Sequence, residues 1–164
     1  MKKNIFIGVA LTTLSLNAFA GEGHHSHGGH QDMQMHESHQ FAAGQPGKAS
    51  EVNRTMKIKA MDNMRYDHDK IKVKAGETVR FIVTNTGNLH HEFSIGSVEE
   101  QLKHAKMMRA MPNMQHEDPN VLSLAPNETG EIIWKFSKSD TIEMACHVAG
   151  HYEAGMKTKV LVSN

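Results

Sequence analysis

The chain has a single cysteine, and the eleven residues that begin with it constrain the fold more than any other stretch. They read Cys146-His-Val-Ala-Gly-His151-Tyr-Glu-Ala-Gly-Met156. Four residues separate Cys146 from His151, and four more separate His151 from Met156. One alternating run leads in (Asp140 to Met144) and another leads out (Met156 to Val162). The stretch therefore reads as a loop between two β-strands, able to bring a thiolate, an imidazole and a thioether together. Thiolate and thioether are soft ligands, and with imidazole they favour copper cycling between its two oxidation states. A trigonal site of this kind needs two imidazoles. The loop supplies His151, so the second must come from elsewhere in the chain.

The compartment agrees with a bound thiol. Met1-Lys-Lys-Asn is basic, Ile5 to Leu16 is an apolar run broken by small polar residues, and Ala18-Phe-Ala20 fits a signal peptidase site. Residues 1–20 are expected to be a secretory signal, cleaved after Ala20 and too short to anchor in a membrane. The expected destination is the periplasm, with no membrane insertion, since no later stretch is long and apolar enough to span one. A lone cysteine in an exported chain has no internal disulfide partner and is exposed to oxidation unless buried or bound to metal. The 18 basic and 18 acidic residues balance, and no basic stripe of the sort that binds nucleic acid is present.

Residues 21–53 carry few large apolar groups, so they cannot offset the entropy of ordering a backbone. They are expected to form a disordered tail. His24, His25, His27, His30, His36 and His39 lie here with Met33 and Met35, and His-rich tracts bind metal in many arrangements. The folded domain is expected over 54–164. Met56, Ile58 and Ala60 alternate with lysines, as do Ile71 and Val73. Val79, Phe81 and Val83 form a third such set, and Ile132, Trp134 and Phe136 another. Short strands with regular turn signals, such as Asp62-Asn63, Ala75-Gly76-Glu77 and Pro126-Asn-Glu-Thr-Gly130, predict an all-β sandwich. Ser97-Val-Glu-Glu100 is a capping box that predicts a short helix to about Arg109. Pro112 ends it inside a Met-rich insertion holding Met107, Met108, Met111, Met114 and His116.

Strand parity selects the second imidazole. Neighbouring side chains on a strand point to opposite faces. His91 shares its parity with the apolar Phe93 and Ile95, while His90 falls with Glu92 and Ser94. The expected ligand set is thus His91, Cys146 and His151, with Met156 as a weak axial group, the donor set of a mononuclear copper centre. His90 and His147 are expected to point away from it. Gly150 and Gly155 allow the loop to curl. Asn85 either reaches across to the Cys146 loop as an outer support or is an ordinary turn asparagine.

Asn85-Thr-Gly-Asn-Leu-His-His91-Glu-Phe and the Cys146-x4-His151-x4-Met156 motif resemble those of the cupredoxins, over roughly Arg54 to Asn164. Val73-Lys-Ala-Gly76-Glu-Thr-Val-Arg-Phe81 is similar to the segment before the first histidine in many members. The resemblance implies a Greek-key β-sandwich with one type 1 copper between loops at one end, and Asn85 beside the cysteine loop. The chain departs from many members at His90 and at Val148-Ala149, where they have proline, and at His147. These departures bear on colour and potential rather than on metal binding. The His/Met-rich tail and insertion resemble the exported CopI-like cupredoxins of bacterial copper tolerance. The implied function is periplasmic copper capture with transfer of copper or electrons. Copper ions and periplasmic redox or copper-export proteins are the implied partners, and additional weaker copper is held by the tail and insertion. The alternative is a dedicated electron carrier. An enzyme is the less favoured class, because one copper motif and one cysteine leave no second catalytic site in view.

Overall fold

The alternation of apolar and charged residues becomes two layers of sheet. The computed structural model describes residues 40–112, 114, 118–137 and 141–164. Within them the strands are β1 (Gly44–Pro46), β2 (Arg54–Met61), β3 (Arg65–Asp67), β4 (Lys72–Lys74), β5 (Thr78–Asn85), β6 (His91–Ser97), β7 (Val121–Leu124), β8 (Thr129–Phe136), β9 (Ile142–Ala145) and β10 (Lys157–Ser163). One sheet has the order β1-β8-β5-β2-β3 and the other β4-β10-β9-β6-β7. The chain crosses between them after β3, β4, β5, β7 and β8. The β2–β5 and β4–β10 pairs are parallel, and the rest are antiparallel. This is the β-sandwich that the strand pattern predicts.

The core lies between the sheets. Ile58, Val79, Phe81, Val83, Ile132, Trp134 and Phe136 come from one, and Phe93, Ile95, Leu124, Ile142, Met144 and Val160 from the other. Phe93 sits between two aromatic neighbours, with its ring centroid 5.8 Å from Phe81 and 5.6 Å from Tyr66. Truncating one such buried aromatic to alanine costs about 3–5 kcal/mol, so this layer fixes where β6 and its first residue, His91, must lie.

The sheet begins earlier than the start expected near Arg54. Gly44–Pro46 pairs with β8, Ala43 is fully buried, and its carbonyl accepts a 3.2 Å hydrogen bond from Trp134 Nε1. The Phe41 ring meets Trp134 edge-on at 5.5 Å. Small residues and backbone pairing do this work, so no apolar alternation marks the segment. The signal segment 1–20 and tail residues 21–39 lie outside the described residues. Among the described residues no helix is long and apolar enough to cross a membrane.

Helix α1 (Val98–Ala110) starts at the expected capping box. Ser97 Oγ accepts from Glu100 N at 3.2 Å, and the Glu100 carboxylate accepts from Ser97 N at 2.6 Å. The helix stops before Pro112, with Met111 as C-cap. Gln101, Ala105 and Met108 form its buried face at helical spacing, packed over β6 and β9. Met108 is therefore a packing residue rather than part of an open Met-rich loop.

Candidate metal centre

The two halves of the site arrive by different routes. His91 opens β6 after the turn that follows β5, and it is completely buried. Cys146 follows the last residue of β9, and Met156 precedes β10. The loop between them is held by its own backbone: Cys146 N donates to Met156 O (3.0 Å), His151 N to Val148 O (2.9 Å) and Met156 N to His151 O (3.0 Å). Gly150 and Gly155 take left-handed backbone, with φ of 88° and 95°, where a side chain is strained.

These routes converge. One donor atom each from His91, Cys146 and His151 lies within 4.8 Å of the others. Cys146 Sγ is 3.4 Å from His151 Nδ1, and the two imidazole centroids are 5.1 Å apart. Met156 is fully buried in a small cluster with Cys146 and Ala60. Of the four expected ligands only His151 is partly exposed.

His91 is set in one orientation by a residue that sequence inspection treated as a plain turn. Asp62 Oδ1 lies 3.1 Å from His91 Nε2. The Asp62 carboxylate also accepts from Asn88 N (2.7 Å) and Leu89 N (3.2 Å). The backbone N–H of Asn88, with lesser help from Leu89 and His91, holds its pKa below the usual carboxylate range against the opposing effect of burial. An ionised carboxylate accepts only, so Nε2 carries a proton, and in the neutral ring that leaves the lone pair on Nδ1. Nδ1 is buried with no hydrogen-bond partner. A buried nitrogen with a lone pair and no donor facing it, fixed from behind by a carboxylate, is how metal-binding histidines are commonly arranged. Nothing local in the sequence marks Asp62, because its partners lie more than twenty residues away in the chain.

Cys146 and His151 complete the donor set. Burial pushes the Cys146 thiol up to about 12, although the backbone N–H groups of Glu92 and Val148 partly oppose it. Glu92 N donates to Sγ at 3.2 Å, tying the His91 strand to the cysteine. Burial, then the neighbouring His91, lowers the His151 pKa below its ordinary value, which keeps it neutral and able to coordinate near pH 7. Two imidazole nitrogens and a thiol with a thioether close by fit a copper ion.

The remaining expected positions divide. His90 is exposed, with Nε2 2.7 Å from Ser123 Oγ. His147 is buried on the far side of Cys146, with Nε2 2.6 Å from Gln101 Oε1 and its ring stacked between His104 and Tyr152. The Asn85 side chain bonds away from the Cys146 loop. Its amide donates to Leu89 O (2.7 Å) and Leu124 O (3.1 Å) and accepts from Gly87 N (2.9 Å). It thus clasps the turn before His91 to β7, which pairs with His91. The outer face of β6 is covered rather than solvated. Ser94 Oγ donates to Gln101 Oε1 (2.9 Å), and Gln101 Nε2 donates to Glu143 O (2.9 Å). Of the residues expected to hold further copper, His24, His25, His27, His30, Met33, Met35, His36, His39 and His116 lie outside the described residues. Met107, Met108, Met111 and Met114 do not act together: Met108 is buried and Met111 is exposed, while Met107 and Met114 line one groove.

The comparisons agree with this geometry. The chain is 42% identical to the copper-resistant cuproprotein CopI of Rubrivivax gelatinosus, over 93% of this chain and 91% of that one. It is 36% identical to the copper-resistant cuproprotein CopI of Vibrio cholerae serotype O1, over 95% and 96%. Among solved structures, auracyanin B aligns with a TM-score of 0.60 at 18% identity, covering 74% of this chain and 97% of that one. The dithionite-reduced auracyanin of Roseiflexus castenholzii aligns at 0.59 and 21% identity, covering 69% and 99%. These two show a shared fold. Residues 52–163 match the copper-binding proteins of the plastocyanin/azurin family, and the chain belongs to that family.

Proposed function

We propose that this protein is a periplasmic copper-tolerance cupredoxin that holds one copper ion at His91, Cys146, His151 and Met156. The observation that carries this is the convergence of buried His91 and Cys146 with the partly exposed His151, with His91 Nδ1 left without a partner while Asp62 occupies Nε2. Bound copper supplies one-electron chemistry between Cu(I) and Cu(II). The chain's own residues do the rest. Asp62 fixes the His91 tautomer, the Glu92 N–H points at the sulfur, and Met156 is buried beside Cys146. Because these groups are already hydrogen-bonded, little has to rearrange when the charge at the centre changes. His151, the half-exposed ligand, is the point of entry and exit.

The tolerance role is favoured by the CopI relatives and by the six histidines and two methionines of residues 24–39 together with the Met-rich helix end, for which a simple carrier has no use. The half-exposed His151 favours the second reading, a dedicated electron carrier. The tail would add weaker copper at the His and Met positions named above, and the insertion at its methionines other than the buried Met108. Neither reading includes an enzyme activity. Deletion of the gene, with growth scored in copper, zinc and nickel, separates the two. Copper-specific sensitivity, restored by the wild-type gene but not by a Cys146→Ser copy, is expected for tolerance. Unchanged copper growth with a respiratory or photosynthetic defect would reject it in favour of the carrier.

A further inference from the structure

We propose that a groove beside helix α1 is a second soft-metal site, which takes Cu(I) through His104, Met107 and Met114. That it serves copper handling rests on the function proposed above; the site itself stands on its own geometry. His104 and Met107 are three residues apart, which places them on one face of the helix. After Pro112 the chain folds back, with Met114 N donating to Met111 O at 3.0 Å. This return brings Met114 to the same cavity of about 690 Å³ that His104 and Met107 line. The Met-rich segment is thereby sorted: Met108 points into the protein and Met111 does not line the groove.

The donor chemistry selects the ion. Two thioethers and one imidazole form a soft, neutral set, which favours Cu(I) over zinc or a hard cation. Lys103 also lines the groove, opposed by the carboxylates of Asp118 and Glu100. A monovalent ion suffers less from that ammonium than a divalent one. Methionine has three rotatable bonds and adapts its sulfur position readily, so Met107 and Met114 can close on an ion without moving the backbone.

The position of the groove gives the site its use. The His104 ring stacks on His147 at 4.4 Å between centroids and 15° between planes. His147 is the residue after Cys146, and its other face stacks on Tyr152 at 5.5 Å. An ion on His104 is thus separated from the cysteine by two stacked rings and one peptide unit. The groove is a loading position next to the main centre.

Anaerobic titration of the full protein, purified after export, with Cu(I) against a chromogenic chelator tests this. Met107→Leu with Met114→Leu, and separately His104→Gln, should each lose one Cu(I) equivalent or weaken it at least tenfold. The visible band of the copper-loaded Cys146 centre should persist and serve as the check on folding. Met111→Leu should change nothing. Equivalents and affinities within threefold of the parent in both groove variants would overturn the proposal. Cys146→Ser is run in parallel: its loss of a separate equivalent tests the main site, so failure of one reading is distinguishable from failure of the other. Should the groove variants fold poorly, the parent protein labelled with ¹³C at its methionine methyls is titrated with Ag(I), a redox-inert stand-in. Shifts at Met107 and Met114 ahead of Met108 and Met111 support the site, and their absence refutes it.

Discussion

Replacing Asn85 with alanine should loosen the turn that delivers His91 while leaving every expected ligand in place. The amide side chain makes three hydrogen bonds, to Leu89 O, Leu124 O and Gly87 N. The three partners differ in what they lose. Leu89 is 46% exposed, so its carbonyl can return to water at little cost. Leu124 is 1% exposed and Gly87 is buried, so the Leu124 carbonyl and the Gly87 N–H stay dry. An unsatisfied buried group costs about 1–3 kcal/mol, which puts the change at about 3 kcal/mol. For a domain of this size that is a fall of roughly 10 °C in Tm. Circular dichroism melting of the metal-free protein measures it. Asn88→Ala, at an exposed position in the same turn, is the control and should stay within about 0.5 kcal/mol. Because Leu124 pairs with His91, the visible band of the copper-loaded Asn85→Ala protein should also shift. A Tm within 3 °C of the parent, with an unmoved band, would refute the clasp.

Other expectations are simpler. Cys146→Ser should abolish the intense visible absorption of the copper-loaded protein, and its survival would sink the ligand assignment. His91→Ala should bleach the centre while His90→Ala leaves it coloured; the reverse pattern in the absorption spectrum would overturn the parity argument. Gly87→Ala would drive a Cβ into Asp62 Oδ1, so Asp62 must leave His91 Nε2, and weaker copper retention against a competing chelator is expected. In the metal-free protein His151 has a lowered pKa in the fold, so the unfolded chain takes that proton more readily. Stability should then be full above about 6.5, fall as pH drops through the window below it, and lose this dependence in His151→Gln, as read by urea unfolding.

Local patterns made the sandwich and the ligand loop legible, and long-range partners escaped because they carry no local pattern. The alternation at Val79, Phe81 and Val83 and at Ile132, Trp134 and Phe136 reports a buried face directly, and each of these residues is buried in the core. The spacing of Cys146, His151 and Met156 is visible because one short loop holds all three. His91 could be chosen over His90 because Phe93 and Ile95 mark the inward face. The strand at Gly44–Pro46 was invisible for the opposite reason, being held by backbone pairing and one small buried alanine. Glu92 and Ser94 share the parity of His90, away from the core, yet both are buried and Gln101 of α1 packs on Ser94; an amphipathic strand pattern cannot show which element will lie on its polar side. Asp62 looked like any turn aspartate.

Asp62, Glu92 and Gln101 have a common place in the structure. Each ties one of the two ligand-bearing segments to something outside it. Asp62 joins the β2–β3 turn to His91 and to the turn before it. The Glu92 N–H joins the His91 strand to Cys146 sulfur. Gln101 holds Glu143 O on β9 and the ring of His147 from α1. The ligands themselves come from two segments more than fifty residues apart, and their separation in space is set by these cross-ties and by the core beneath them. A centre that exchanges one electron works best when its donors keep their places in both charge states, and the cross-ties supply that rigidity. They also explain why α1 matters to a β-protein. The helix is the only described element that touches both the cysteine strand through Gln101 and the Met-rich groove through His104 and Met107. Mutations on its buried face should therefore alter the colour of the centre, and mutations on its groove face the capture of additional copper.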